Sequence, residues 1–375
     1  SGAEGQWIDG DFVRFRYGQP EKIGGFQAIG QKTISGPARA QHCWNDLEGR
    51  KYAALGTSKA LYIYYEDAFY DITPLKTAIT GATFTSTASS STITVNKTSH
   101  ALSVGEYITF SAVTVPVSSS FVDTDFTSFT FEILTVASNS FTITMQTTET
   151  GTPMTAAGSA SINPYEEIGP TIQTYGYGWG TSTWGTVGWG NQTTSTQVIL
   201  DPGSWSLDNF GQQLIATVKD GKTFTWNAGA ASPLQTRATI MTNAPTASRL
   251  TIVSDRDRHV VHFGTETTIG NTTTQDPMFI RFSDQENFSV YAPTSTNTAG
   301  TFRLDTGNKI VAAVSGKDYN LILTDTAAYV MQFVGPPFTF SIRQVGSNCG
   351  CIGQHAVVYA DGQVFWMGTG GGFFK

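Results

Sequence analysis

Charge is scarce in this chain: Asp, Glu, Lys and Arg make up 14% of its 375 residues, against about 25% in an ordinary soluble domain. What there is leans negative, 22 Lys plus Arg against 29 Asp plus Glu for a formal charge of −7. That balance excludes the clustered basic footprint with which proteins grip nucleic acid through its phosphates. It leaves room for a surface past which DNA slides without sticking. Cysteine is nearly missing too. Three residues, Cys43, Cys349 and Cys351, exclude a disulfide framework and fit folding in a reducing compartment. No apolar run reaches about 18 residues, so no segment has the length of a membrane-spanning helix. No window of a dozen residues keeps an i, i+3, i+4, i+7 apolar pattern free of Gly, Pro and β-branched clusters, which removes long amphipathic helices. The opening SGAEGQW carries neither an initiator Met nor the apolar stretch of a signal peptide, as processing or trimming would leave it.

What remains is a composition of strands and turns, with 39 Gly and with Ser and Thr in every segment. The class is all-β. One plan recurs along it. In NLILTDTAAYVMQF, Asn320–Phe333, an apolar run meets a polar turn at Thr324–Ala327 and a second apolar run follows. The plan returns at Leu214–Trp226 with Asp220-Gly221 in the turn, at Val357–Met367 with Asp361-Gly362, and at Tyr52–Tyr65 with Gly56–Lys59. A looser copy runs out at Val260–Gly264 and back at Met278–Phe282. Asp-Gly suits a two-residue hairpin turn in which both residues take positive φ. A hairpin cannot bury its face alone, and hairpins repeated every 35 to 60 residues or so point to four-stranded propeller blades of about 40–50 residues. WSLDNF at Trp205–Phe210 and FTFSIRQV at Phe338–Val345 are expected as outer strands of two blades. The expected fold is a β-propeller with irregular four-stranded blades and a small inserted β-domain; a β-sandwich is the alternative.

Three domains follow. Residues 1–77 hold an N-terminal strand and a first blade, 78–162 an inserted barrel or sandwich, and 163–375 the remaining blades, the last half made at Gly368–Lys375. In the insert, alternation predicts buried faces with Ile93, Val95, Ile108, Phe110, Phe129, Phe131, Ile133, Phe141, Ile143 and Met145. Thr73-Pro74 marks its entry and Asn163-Pro164 its exit. Between the turns at Thr57 and Asp220 the insert leaves enough chain for one extra or distorted blade.

At Trp7–Phe26 the chain alternates around Phe12, Arg14 and Arg16, then breaks at Gly18 and Pro20. Asp9, Asp11, Glu21 and Lys22 surround the arginines, so the charges can pair locally. This is either an edge strand with a turn, or a strand that closes the propeller or crosses to a neighbouring subunit through Phe12, Arg14, Arg16 and Phe26. YGYGWGTSTWGTVGWG, Tyr175–Gly190, spaces aromatics with Gly. Trp179, Trp184 and Trp189 are placed to pack beneath a blade, or to stack on a ligand.

The opening Val13-Arg14-Phe15-Arg16 followed by Pro20-Glu21-Lys22-Ile23-Gly24-Gly25-Phe26 resembles the tail nozzle, or tail stabilisation, proteins of short-tailed bacteriophages. The Trp/Gly tract and the late Val364–Met367 strand leading to a Gly run and Phe373-Phe374 add to the resemblance, which covers about residues 7–75 and 165–375. It implies a structural virion protein of the tail, made in the host bacterial cytoplasm: a homo-oligomeric, hexameric ring that lines the DNA exit channel during genome ejection, passes DNA through its bore without tight binding, and contacts adaptor, fibre or needle proteins. Proteins of that kind continue well past a segment like Gly368–Lys375, so a piece of a longer chain is expected.

No enzyme is expected. His259 and His262 lie three apart, on opposite faces of a strand, and cannot chelate one ion together. Cys349-Gly-Cys351 with His355 has no second ligand pair at metal spacing and reads as a turn with two small thiols. No Gly-x-Ser-x-Gly elbow or phosphate loop occurs. Paired carboxylates for sugar cleavage are the best catalytic case: Glu166-Glu167 point to opposite sides of a strand, and Asp255-Arg256-Asp257-Arg258 reads as a solvated, self-neutralising loop. Neither a cofactor nor a metal is expected. The alternative function is a glycan-binding or glycan-cleaving tail propeller.

Overall fold

A computed structural model describes residues 11–25, 34–172 and 201–375. The chain is all-β. Five small sheets stand around an axis as the blades of a propeller, and a separate seven-stranded sheet curls into a half-barrel. The first strands, β1 (Val13–Arg16) and β2 (Gln19–Lys22), form a two-stranded sheet of their own. Its turn residues Tyr17 and Gly18 take φ of 51° and 78°, which is what a two-residue hairpin with right-handed strand twist requires. The expected break at Pro20 is therefore absent: the residue pairs with Phe15 inside β2. Among the described residues the segment does not add a strand to any blade.

Blade 1 comprises β3 (Ala38–Asn45), β4 (Lys51–Thr57), β5 (Leu61–Tyr65) and β6 (Ala68–Asp71). The insert follows as β7 (Ile79–Thr85), β8 (Thr92–Asn96), β9 (Tyr107–Thr114), α1 (Asp123–Thr127), β10 (Phe131–Glu132), β11 (Thr135–Ala137), β12 (Ser140–Thr144) and β13 (Ala157–Pro164), in sheet order β10-β9-β13-β7-β8-β12-β11. Blade 2 is β14 (Trp205–Phe210), β15 (Gln213–Val218), β16 (Thr223–Asn227) and β17 (Thr239–Ile240). Blade 3 is β18 (Leu250–Ser254), β19 (His259–Phe263), β20 (Phe279–Phe282) and β21 (Gly300–Arg303). Blade 4 is β22 (Ile310–Ser315), β23 (Asn320–Thr324), β24 (Ala327–Gly335) and β25 (Thr339–Ser347). Blade 5 shows three strands among the described residues, β26 (Val357–Ala360), β27 (Gln363–Met367) and β28 (Phe373–Phe374).

The first strand of each blade packs against the first strand of the next, β3 on β14, β14 on β18, β18 on β22 and β22 on β26. These are the innermost strands. Trp205–Phe210, expected on the outside of its blade, is thus at the axis, whereas Thr339–Ser347 is outermost as expected. The cores lie in the gaps between blades. Trp44, Tyr52, Ile63, Trp205, Leu214 and Trp226 fill the gap between blades 1 and 2, and Phe263, Ile280, Ile322 and Met331 fill that between blades 3 and 4. No further blade occurs in residues 165–172 or 201–204, so the spare chain after the insert does not form one among the described residues.

Turn chemistry explains the hairpins. At Asp361-Gly362 both residues take positive φ, 52° and 79°. At Asp220-Gly221 only Asp220 does, with φ 55°, because the loop is wider and closes through Val218 N–H to Lys222 O at 3.0 Å. Two other turns share a threonine device. Thr57 Oγ1 accepts from Lys59 N at 3.1 Å and Ala60 N at 2.9 Å; Thr324 Oγ1 accepts from Thr326 N at 3.2 Å and Ala327 N at 2.8 Å. A Thr-x-x-Ala pattern thus folds the backbone through its own side chain.

The insert is a single sheet curled around its own core, neither closed barrel nor sandwich. Phe126 of α1 is fully buried in that core. Of the residues assigned to buried faces, Phe129 alone is out, at 43% exposed; it precedes β10, so the period-two reading began one alternation too early.

Candidate functional site: the axial pocket

Where the five inner strands converge they leave a cavity of about 340 Å³, lined from every blade. β3 supplies Gln41 and His42, β14 supplies Ser206, Leu207 and Asp208, and β18 with its following turn supplies Thr251, Ile252 and Asp255. β22 contributes Val314 and Ser315, and the segment before β26 contributes Gln354 and His355. Inner strands of a propeller crowd the axis, which favours the small Ala40 and Ala313 there. The polar residues are an addition to that packing.

Their geometry is specific. Asp208 Oδ1 accepts from Asn209 N at 2.8 Å, and Oδ2 accepts from Val253 N of the next blade at 2.7 Å. Burial nevertheless pushes its carboxyl up to about 6, against the lowering influence of His42 and the two N–H groups. The His42 ring lies 3.8 Å from Asp208 but gives its Nε2–H to Asn209 Oδ1 at 2.8 Å. Asn209 is itself fixed by Nδ2 donating to Gly211 O at 2.8 Å. Asp255 is raised by burial, with His42 and Arg258 acting to lower it; it has no hydrogen bond or ion pair among the described residues. Ser315 Oγ is buried without a partner among the described residues. Burial pulls the His355 imidazole down, leaving it neutral. From the fifth blade Gln354 reaches Trp205 O and the Ser204 hydroxyl, at 3.5 and 3.3 Å.

Asp255-Arg256-Asp257-Arg258 is not the self-neutralising loop its alternating charges suggest. Arg256 pairs with Asp318 at 3.6 Å and Arg258 with Glu286 at 2.6 Å, while Arg258 also lies 4.3 Å over the Phe210 ring. Asp257 is buried, bonded to Ser254 and to His259 Nδ1 at 2.5 and 2.7 Å. His259 Nε2 then meets Thr298 Oγ1 at 3.0 Å, but that hydroxyl donates to Asp284 at 2.8 Å. Although Asp257, His259 and Thr298 have the composition of a catalytic relay, the hydroxyl is already engaged and the imidazole is fully buried. The chain of bonds clamps two loops of blade 3. His262 faces the other way, bonded to Thr251 at 3.0 Å and Tyr291 at 3.0 Å; burial lowers it to about 3, so it is neutral.

Cys349 and Cys351 are buried free thiols in the gap between blades 4 and 5, and among the described residues no group of His, Cys, Asp and Glu is placed to hold a metal. Glu166 and Glu167 diverge, to Lys222 at 2.8 Å and to Lys76. Phe12, Arg14 and Arg16 lie on the N-terminal hairpin, where Arg14 Nε meets Glu21 at 3.0 Å, the local pairing read from the sequence. Phe26, Trp179, Trp184 and Trp189 fall outside the described residues. The axial set escaped the sequence reading because its members come from five separate repeats; the signal available was a polar residue interrupting each inner strand.

No family model and no curated protein matches the chain. Among solved structures, similar chains include the phage phi92 endosialidase, at TM-score 0.30 and 13% identity over 93% of this chain and 55% of that one. Another is Citrobacter koseri AztD, at 0.27 and 8% over 90% and 82%. The chain spans about half the length of the endosialidase, and at these scores neither structure supplies a residue correspondence.

Proposed function

We propose that the chain is a structural subunit of a short bacteriophage tail, a ring-forming nozzle-type protein that surrounds the DNA exit channel and contacts adaptor and fibre proteins. The observation that carries this reading is the opening segment. The residues that resemble the nozzle proteins, Val13–Arg16 and the start of Pro20–Phe26, fold as a hairpin apart from the blades, with Tyr17 93% exposed at its tip. An arm of this kind suits a contact beyond its own subunit, and repeated head-to-tail contacts close into rings. The propeller axis is not the DNA path. Its cavity, about 340 Å³, is of the size that takes a small molecule, while the major groove of a duplex is already about 12 Å wide. DNA would run through the lumen between subunits. Solution mass with negative-stain imaging tests the reading: rings, hexameric in the expected case, support it, and a chain that stays monomeric at high concentration and with its tail partners present overturns it.

The second reading, a glycan-binding or glycan-cleaving tail propeller, is favoured by the two carboxylates in the axial pocket. Saturable glycan-array binding or release of reducing sugar, lost in Asp208→Asn, would establish it. Against it, Asp208 is engaged in joining blades 2 and 3 through Val253, and among the described residues no Phe, Tyr or Trp lines the pocket to seat a sugar face.

A further inference from the structure

The axial pocket gathers more negative charge than a filler of the propeller axis needs. Asp208 is a half-buried carboxylate, its side chain 21% exposed, whose charge is balanced among the described residues by two N–H dipoles and an imidazole 3.8 Å away that bonds elsewhere. Asp255, at the exposed end of the cavity, has no partner among the described residues. Ser315 Oγ, on the same lining, is buried and unpaired among the described residues. A buried hydroxyl is ordinarily satisfied, and this one lines a cavity that also carries two carboxylates with no Lys or Arg paired to either among the described residues.

The chemistry of the lining narrows what that donor is. Two carboxylates disfavour an anion. A bare metal ion needs several converging ligands, and among the described residues no such group exists. A sugar would find no Phe, Tyr or Trp face among the described residues. An ammonium group, by contrast, brings positive charge and three N–H donors, which match two carboxylates and a hydroxyl. The aliphatic walls, Leu207, Leu250, Ile252, Val314 and Val357, suit a short methylene chain. We infer that the axial pocket binds a small organic ammonium ion, which enters past Asp255 and sets its charge against Asp255 and Asp208.

The groups that face Asp208 are His42 from β3 and Asp255 from the turn after β18, with Arg258 and Asp257 acting on Asp255 in turn and neutral His355 opposite. Because the Asp208 carboxyl titrates at about 6, ammonium affinity should be full above that pH and fall below it.

Calorimetric titration at pH 7.5 with 1,4-diaminobutane, and with 1,4-butanediol as a neutral molecule of the same length, tests the inference. The expected result is saturable binding of the diamine at one site per chain and none of the diol. Asp208→Asn and Asp255→Asn should each weaken the diamine about tenfold or more, the loss expected for a charged hydrogen bond. Asp255→Asn removes no bond that holds the fold, so it keeps the test decisive if Asp208→Asn is unstable. No saturable diamine binding, equal binding of the diol, or unchanged affinity in Asp255→Asn would each overturn the inference.

Discussion

The indole N–H of Trp205 donates to the carbonyl of Thr57 at 3.0 Å, across 148 residues of sequence, and ties the inner strand of blade 2 to the turn of blade 1. The ring is fully buried and lies against Gly56, where a Cβ would meet its Cδ1 at 2.5 Å and its Cβ at 2.8 Å. Glycine is needed at position 56 for this approach. Trp205→Phe should cost about 1–3 kcal/mol by leaving the buried Thr57 carbonyl unmet, and Gly56→Ala a similar amount by overpacking. Since both act on one contact, the double variant should lose less than the sum of the single losses. Urea unfolding of the three variants gives these values, and simple additivity would show that the two effects are independent.

Arg237 joins three parts of the chain. Its guanidinium donates to Thr73 O at 2.9 Å, Asp71 at 3.1 Å and Tyr165 Oη at 3.1 Å, and lies 4.9 Å over the Tyr165 ring. Burial, with Asp71 next, raises the Tyr165 hydroxyl far above its ordinary range. The arrangement fixes the outer edge of blade 1, the exit of the insert and blade 2 together. Arg237→Met keeps much of the packing volume but takes the paired cation from the Asp71 carboxylate, which retains hydrogen bonds from Thr73 and Tyr165, and should destabilise by about 1–3 kcal/mol. Asp71→Asn combined with Arg237→Met should recover part of that loss. Thermal unfolding of single and double variants measures the recovery.

Glu149 makes the insert sensitive to acid. Its carboxylate is fully buried and accepts from Ser120 N at 2.8 Å, Ser119 Oγ at 2.7 Å, Ser120 Oγ at 2.8 Å and Ser86 Oγ at 2.9 Å. Burial works to raise its pKa, but these donors outweigh burial and hold it at about 2, below the ordinary 4.5. A carboxyl lowered on folding contributes stability that is full above the unfolded value and lost as pH falls through the folded one. The insert should therefore weaken between pH 4.5 and about 2. Glu149→Gln should remove most of this dependence and cost about 1–3 kcal/mol at neutral pH, because an amide cannot accept from all five donors, Gly151 N at 3.0 Å being the fifth. Circular dichroism melts across that range, wild type against variant, make the comparison.

The all-β class and the hairpins were legible in the sequence because they rest on local chemistry. Asp361-Gly362 states its turn in two residues, and alternation places Ile93, Val95, Phe141 and Ile143 on one face without knowledge of the rest. Strand position within a blade was not legible. Whether Trp205–Phe210 lies inside or outside depends on which strand meets the neighbouring blade, a contact made over long sequence separation. The same holds for the axial pocket, since nothing near His42 in sequence announces Asp208 or Gln354. The Asp-Arg-Asp-Arg run shows the limit from the other side. Adjacent opposite charges suggest mutual pairing, yet the turn between β18 and β19 sends Arg256 and Arg258 to Asp318 and Glu286 and leaves Asp255 at the axis.

The inserted sheet should be separable from the propeller. Its core, from Ala82 and Phe84 to Ala160 and Ile162, draws only on residues of the insert itself, and the two chain ends that enter and leave it are bonded side by side: Lys76 N to Pro164 O at 2.8 Å and Glu166 N to Pro74 O at 2.9 Å. A short Gly/Ser linker in place of residues 78–162 would therefore span a gap that is already closed. What excision removes is a small joint: Lys59 Nζ to Gly105 O at 2.8 Å, Lys76 to Glu106 at 3.8 Å, Thr130 to Tyr165 at 2.9 Å, and Tyr107 over Ala60 and Tyr62. These two hydrogen bonds, a third from Tyr165 N to Tyr107 O at 2.9 Å, and the part-exposed ion pair are worth about 2–5 kcal/mol together, against a propeller with cores between each blade and the next from blade 1 to blade 5. The deletion variant should be soluble, strand-rich and cooperative in its thermal unfolding, and the excised segment expressed alone should fold and retain the acid transition set by Glu149. Aggregation of the deletion variant, or loss of its cooperative transition while the isolated segment still folds, would show that blade 1 depends on the insert for its outer face.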